Sequence, residues 1–258
     1  MDVAQRMADA ARAAILPFFR TVGLASDNKA EGGFDPVTEA DRAAERAMRA
    51  VLAEHRPDDG IWGEEFGKQS GMSGRMWVLD PIDGTRAFIS GTPTWGVLIA
   101  LGVEGAAPHL GLIDQPYIAE RFWGDAEGAF CAGPSGTVRL ATRGLGALHE
   151  AILFTTFPEV GRDMDRAGFE AVAAQVKLVR YGMDCYAYAL VASGQVDLVI
   201  EAGLQAYDIQ GPMAVIEAAG GVVTNWSGGP AHEGGQILAA ANTDIHAAAL
   251  EKLAPYAD

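Results

Sequence analysis

The stretch from 77 to 88, WVLDPIDGTRAF, constrains this chain more than any other. Met76, Trp77, Val78 and Leu79 form a short apolar run behind a Gly/Ser-containing loop, the pattern of a buried strand. Asp80 closes the run, and Pro81, with its fixed φ and missing N–H, is expected to stop the strand there. Asp83 and Gly84 then supply turn chemistry. Two carboxylates three residues apart, on a rigid turn at a strand end, can converge on one cation. The Gly84–Thr85 step is expected to open a short helix, whose unpaired N–H groups and positive dipole end favour an anion such as phosphate. A cation cage beside an anion cradle points to phosphate-ester chemistry. Asp-Pro and Asp-Gly are also ordinary turn dipeptides; what lifts this stretch above that reading is that other acidic segments of the chain fit the same scheme.

Composition narrows what such a site can serve. The 258 residues suit one large domain or two modest ones. Nineteen Lys and Arg stand against 34 Asp and Glu, a formal charge of −15. So acidic a surface repels nucleic acid and anionic membrane, and neither is expected as a partner; a small phosphorylated metabolite would need divalent cations to invert the local field. Cys131 and Cys185 have neither disulfide-framework nor metal-type spacing and read as free thiols in a reducing cytosol. No basic segment followed by an apolar one opens the chain, and no apolar run approaches the ~18 residues of a membrane span, so a cytoplasmic protein is expected. The histidines His55, His109, His149, His232 and His246 match no zinc spacing and read as surface or core residues; with oxygen ligands dominating, Mg²⁺ is expected rather than Zn²⁺.

Residues 2–19 carry Val3, Met7, Ala10, Ala11, Ala14, Ile15 and Phe18 at helical spacing and predict an amphipathic first helix. A polar connection, 21–34, leads to 35–52, where Thr38 and Asp41 have the spacing of a capping box and Ala44, Ala47, Met48, Val51 and Leu52 give a buried face. Asp41 is therefore either a cap or a site residue, and Asp35, before a proline, reads as a turn residue. IWGEEFG, 61–67, reads either as a strand end delivering carboxylates or as a solvated acidic turn, and 68–75 as a flexible connection able to act as a lid. Short β-type runs at 95–103, 109–113, 119–124 and 128–132 predict an antiparallel sheet. The Gly-rich stretch 134–146 is the expected boundary between a half ending near residue 140 and a second half over 141–258. There, strands at 151–155, 177–180, 197–201, 221–226 and 236–240 alternate with helices at 164–176, 185–193, 209–219 and 246–253, an α/β rhythm. Glu201 and Asp208 bracket a loop, and Asp208 stands where a helix cap would.

These segments together carry a resemblance. GEE at 63–65, WVLDPIDGT at 77–85 and YDIQGPMAVIEAAGG at 207–221, in that order, make the chain similar nearly end to end to the inositol monophosphatase superfamily of Mg²⁺-dependent phosphatases. DPVTEADRAAE, DGTRAFISGTPTWG, GLIDQP, ERFWG and RYGMDCYAYAL resemble its histidinol-phosphate phosphatase branch. Met183, Gln205 and the segment 210–213 depart from that branch without touching an implied metal ligand.

The resemblance implies an αβαβα layered sandwich, with an N-terminal α+β half, a C-terminal α/β half and the metal site between them; it also implies a homodimer. Glu64, Asp80, the Ile82 carbonyl, Asp83 and Asp208 would hold two or three Mg²⁺ ions, with Asp80 bridging the central pair. Glu64 and the Thr85 hydroxyl, oriented by Asp41, would help activate a water, while Asp80, Asp83 and Asp208 would hold the ion that stabilises the leaving alkoxide. Backbone N–H groups of Gly84 and Thr85 would cradle the phosphate. Arg86 fits the histidinol branch, and Glu201 would face the alcohol. Asp184 falls where inositol enzymes carry a small uncharged residue; it would suit a cationic leaving group such as histidinol, or else merely cap the next helix. The expected activity is hydrolysis of L-histidinol phosphate in histidine biosynthesis. The alternatives are an inositol-1-phosphate or broad sugar phosphatase and an inactive Mg²⁺-binding regulator.

Overall fold

A computed structural model of the chain describes residues 1–22, 26–28 and 36–258. Asp35 and residues 23–25 and 29–34 of the connection lie outside the described residues. Helix α1 (Asp2–Ile15) and helix α2 (Glu39–His55) have the expected amphipathic faces. The first ends at Ile15 rather than at 19, because Pro17 has no N–H to continue it and its ring would clash with the preceding turn. Between them, strands β1 (Ser26–Asn28) and β2 (Pro36–Thr38) pair antiparallel.

The first sheet holds β3 (Gly60–Gly63), β4 (Gly67–Gln69), β5 (Arg75–Asp83), β6 (Gly96–Val103), β7 (Leu110–Gln115), β8 (Glu120–Asp125), β9 (Gly128–Gly133) and β10 (Gly136–Arg139). Their spatial order is β10-β9-β8-β7-β6-β5-β3-β4, antiparallel except for the parallel β3/β5 pair. Helix α3 (Thr85–Ser90) connects β5 to β6. The second sheet, β11 (Ile152–Thr155), β12 (Leu178–Tyr181), β13 (Leu198–Gln205), β14 (Val222–Thr224) and β15 (Gly234–Ala240), is ordered β12-β11-β13-β15-β14. Its β11 runs parallel to both neighbours, while β15 is antiparallel to both of its own. Helices α4 (Asp163–Ala173), α5 (Tyr186–Ala192), α6 (Ala206–Ala218) and α7 (Thr243–Leu253) complete the chain.

Side-chain alternation turns these elements into five layers. Trp77, Leu79, Val97, Ile99 and Leu112 pack against Met7, Ile15, Met48 and Leu52 of the outer helices. The opposite face, with Leu98, Ile113 and Phe122, meets Ala187, Val191, Ile209 and Val215 of α5 and α6, which also meet Val199 and Ala239 of the second sheet. Leu153, Leu198, Ile200 and Leu238 then face Phe169, Ile245, Ala249 and Leu253 of α4 and α7. The order is the αβαβα sandwich. Helix α6, buried over Ile209–Ile216, lies between the two sheets, where a helix must be apolar on every side.

Two expectations are corrected here. The segment 68–75 is not a lid: its first residues belong to β4, Met72 and Ser73 N–H donate to the Asp58 carbonyl (2.7 and 3.0 Å), and the Ser73 hydroxyl donates to Asp59 (2.6 Å). Nor does Pro81 end its strand. Pairing with β6 slips between Asp80↔Leu98 and Asp83↔Gly96, and the proline sits inside that bulge, where no ladder N–H is required of it. The stretch 134–146 also contains β10.

Candidate active site

The bulge in β5 shapes the acidic centre. Asp80 Oδ1 accepts the Ile82 N–H at 3.0 Å, an Asx-type turn that re-aims the backbone so that Asp83 follows on the same side of the cleft. Gly84 is left-handed at φ 84° and caps α3, as the Gly84–Thr85 step predicts. Asp208 arrives from the other half at the third position of α6, where its Oδ2 accepts the Gln205 N–H at 2.7 Å. Helix cap and candidate metal ligand are thus the same side chain. Asp80, Asp83 and Asp208 each offer a carboxylate oxygen, and these oxygens lie within 4.8 Å of one another.

Burial pushes the Asp80 carboxyl well above the usual range, and repulsion from Glu64, Asp83 and Asp208 and a hydrogen bond with Glu64 push it further. Asp83 is raised in the same way by burial, Asp208 and Asp184, against a hydrogen bond with the Cys185 side chain; the Cys185 N–H also donates to it at 2.7 Å. A compact set of hard oxygen donors whose mutual repulsion a cation would relieve fits Mg²⁺ rather than a soft metal.

Glu64 follows β3, held by its N–H to the Leu79 carbonyl (3.1 Å), and lines the same cleft. Asp41 caps α2 and also reaches Thr85. Its Oδ2 accepts the Thr38 N–H (2.8 Å) and hydroxyl (2.6 Å) as a capping box, while Oδ1 takes the Thr85 hydroxyl at 3.5 Å. Thr85 shares that proton with the Ile82 carbonyl at 3.2 Å. Burial raises the Asp41 carboxyl to about 6.

A cleft of about 360 Å³ joins Glu64, Asp80, Asp83, Thr85 and Asp208 to Arg86, Thr156, Phe157, Asp184, Tyr188, Glu201 and Tyr207. Asp184 does not cap α5: the cap position is Cys185, no side chain caps that helix, and Asp184 Oδ2 instead accepts the Thr94 hydroxyl at 2.6 Å. Its backbone is left-handed, φ 45°, and its side chain lies so near Gly84 that a Cβ there would meet it at 2.8 Å. Burial raises Asp184, with Thr94 and Arg86 opposing. The Arg86 guanidinium lies 4.7 Å over the Phe157 ring at the rim. Glu201 is tied down more firmly than its sequence position suggests: Oε1 accepts the Thr156 N–H (2.9 Å) and hydroxyl, and Oε2 the Tyr188 hydroxyl (2.9 Å). Burial lifts its carboxyl to about 7 against those bonds.

Thr94, Thr156, Phe157 and Tyr188 escaped the sequence reading because each is brought in by tertiary contact, although Thr94, inside DGTRAFISGTPTWG, and Tyr188, inside RYGMDCYAYAL, stood in segments already singled out. The chain also departs from the branch pattern at 210–213, and the structure gives part of that segment a packing role. Gly111 and Gly124 face each other across β7 and β8, and α6 rests on them. A Cβ on Gly111 would come within 2.2 Å of the Gly211 carbonyl oxygen, and one on Gly124 within 2.7 Å of the Ala214 carbonyl oxygen.

A layered sandwich with a carboxylate cluster between its sheets and a glycine-capped helix start beside it defines a class, and sequence and structure comparisons agree on which. Residues 1–257 match the model of the inositol monophosphatase family. A chloroplastic bifunctional phosphatase from Arabidopsis thaliana is 40% identical over 97% of this chain and 74% of its own. A histidinol-phosphatase from Mycobacterium tuberculosis is 36% identical over 91% of this chain and 90% of its own. The solved inositol monophosphatase of Zymomonas mobilis superposes with a TM-score of 0.86 at 40% identity, covering 98% of this chain and 96% of that one. The chain belongs to the inositol monophosphatase family and is a phosphatase of that family.

Proposed function

We propose that the protein is a Mg²⁺-dependent phosphomonoesterase that hydrolyses L-histidinol phosphate to L-histidinol and phosphate. One observation carries the substrate: Asp184, freed from capping duty, stands against the Gly84 phosphate cradle on the side open to the cleft. A carboxylate there favours an alcohol bearing an amine and an imidazole over a neutral polyol. Glu64, Asp80, the Ile82 carbonyl, Asp83 and Asp208 would hold the Mg²⁺. When bound, the ion supplies charge neutralisation on the phosphoryl oxygens and lowers the pKa of water.

The chain's own groups do the rest. The Gly84 and Thr85 N–H groups and Arg86 bind and orient the phosphate. The Thr85 hydroxyl, set between Asp41 and the Ile82 carbonyl, accepts the attacking water's proton as it passes its own to Asp41. Asp184, with Glu201 behind it, orients the cationic alcohol, and Phe157 and Tyr207 limit water at the rim. The enzyme is cytoplasmic, in keeping with free Cys131 and Cys185.

A second reading, inositol-1-phosphate hydrolysis, is favoured by the 40% identity to the Zymomonas mobilis enzyme. Phosphate release from histidinol phosphate and from inositol 1-phosphate, at equal concentration with Mg²⁺, separates the two. A preference for histidinol phosphate is expected; equal rates, or preference for the inositol ester, would overturn the substrate assignment.

A further inference from the structure

Glu45 is fully buried on α2, yet no part of the chemistry above uses it. Its carboxylate reaches across to the turn that follows β3. Oε2 accepts the Glu65 N–H at 2.7 Å, and Oε1 accepts the Phe66 N–H at 3.3 Å and Arg49 Nε at 2.8 Å. Arg49, one helical turn further on, completes the grip by donating to the Gly67 carbonyl at 2.6 Å. The approach is so close that a Cβ on Gly63 would lie 1.9 Å from Glu45 Oε1, so only glycine allows it. A buried carboxylate with three donors, one of them a guanidinium, is a rigid fixture rather than a stray charge.

We infer that Glu45 and Arg49 are positioning residues that fix the 63–67 turn so that Glu64 is presented to Asp80. The turn is anchored by the Glu64 N–H on Leu79 from the strand side and by the Glu45–Arg49 clamp from the helix side, and Glu64 is the residue between them. Without the clamp, the Glu65 and Phe66 N–H groups lose their buried acceptor and the turn relaxes toward solvent. The inference rests on Glu64 being a metal ligand. Groups that orient ligands in this way commonly cost about 10–100-fold in metal affinity when removed.

The test is titration of Mn²⁺ alone into the full chain, read as loss of the free-ion paramagnetic resonance signal, for wild type and the variants E45Q, R49M, E64Q and D165N. Gln at 45 turns an acceptor into a donor facing donors, and Met at 49 keeps packing volume but removes the bond to Gly67. Both are expected to weaken Mn²⁺ binding about 10–100-fold while the folded protein keeps wild-type circular dichroism. D165N perturbs a carboxylate bonded to Arg162 and Gln236 in the far layer and is expected to leave affinity unchanged despite a lower Tm. If E64Q weakens binding and R49M and E45Q do not, the clamp is merely structural and the inference fails. If E64Q itself binds Mn²⁺ as wild type does, Glu64 is no ligand and the reading beneath the inference fails instead. Should E45Q not fold, R49M decides alone.

Discussion

The seat of α6 on the first sheet sets where Asp208 stands, and Gly111→Ala tests it. The new Cβ would lie 2.2 Å from the Gly211 carbonyl oxygen, against about 3.4 Å for ordinary contact. Both atoms belong to rigid elements, a central strand and a buried helix, so the helix must withdraw by about 1.2 Å. Asp208 precedes Gly211 by less than one turn and moves with it, while Asp80 and Asp83 stay on β5. Overpacking of this kind costs about 1–3 kcal/mol, and for a chain of this size each kcal/mol lowers Tm by roughly 2–4 °C. A displacement of about 1 Å in a reacting constellation costs on the order of 10²-fold in rate. The assay is Mg²⁺-dependent phosphate release alongside a thermal melt, with Gly146→Ala, whose Cβ would meet nothing within 4 Å among the described residues, as control. A Gly111→Ala protein that melts lower yet keeps wild-type kcat/KM would refute the claim that this contact positions Asp208.

Asp83→Asn should reduce Mg²⁺-dependent turnover by at least about 10²-fold, since a ligand supplying several kcal/mol of charge stabilisation is lost; an unchanged rate would remove Asp83 from the metal set. Asp184→Ala should lower kcat/KM for histidinol phosphate about tenfold or more, a charge-assisted bond's worth, and leave inositol 1-phosphate hydrolysis nearly alone; parallel losses would return Asp184 to a structural role. Asp165 gives a pH signature: burial pushes its carboxyl up, but bonds from Arg162 and Gln236 outweigh burial and leave it below the usual value. Its folded pKa being depressed, its stabilisation is present above the unfolded value near ~3.9 and is lost as pH falls through the folded one. The Tm gap between wild type and Asp165→Asn should therefore be widest near neutrality and shrink below about pH 4; a gap independent of pH would contradict this.

Local features were legible in the order of residues. The buried apolar run Met76–Leu79, the Asp83-Gly84 turn, the Thr38–Asp41 cap and the alternating rhythm after residue 150 follow from φ restrictions, capping and periodicity, which act over a few residues. Element ends were less legible: Pro81 is tolerated because β6 skips a pairing opposite it, and residues 68–75 are fixed by Asp58 and Asp59, not by their own composition. Only the stacking of the layers brings the acids of the cleft together. Asp208 lies 125 residues beyond Asp83, as their numbers show, and joins it because paired glycines on β7 and β8 let a buried helix rest on backbone. It likewise gave Asp184 to Thr94 instead of a helix end, secured Glu201 with Thr156 and Tyr188, and set Glu45 behind Glu64. Such placements depend on how layers stack, and stacking depends on volumes and close approaches between residues far apart in the chain, which local pattern does not encode.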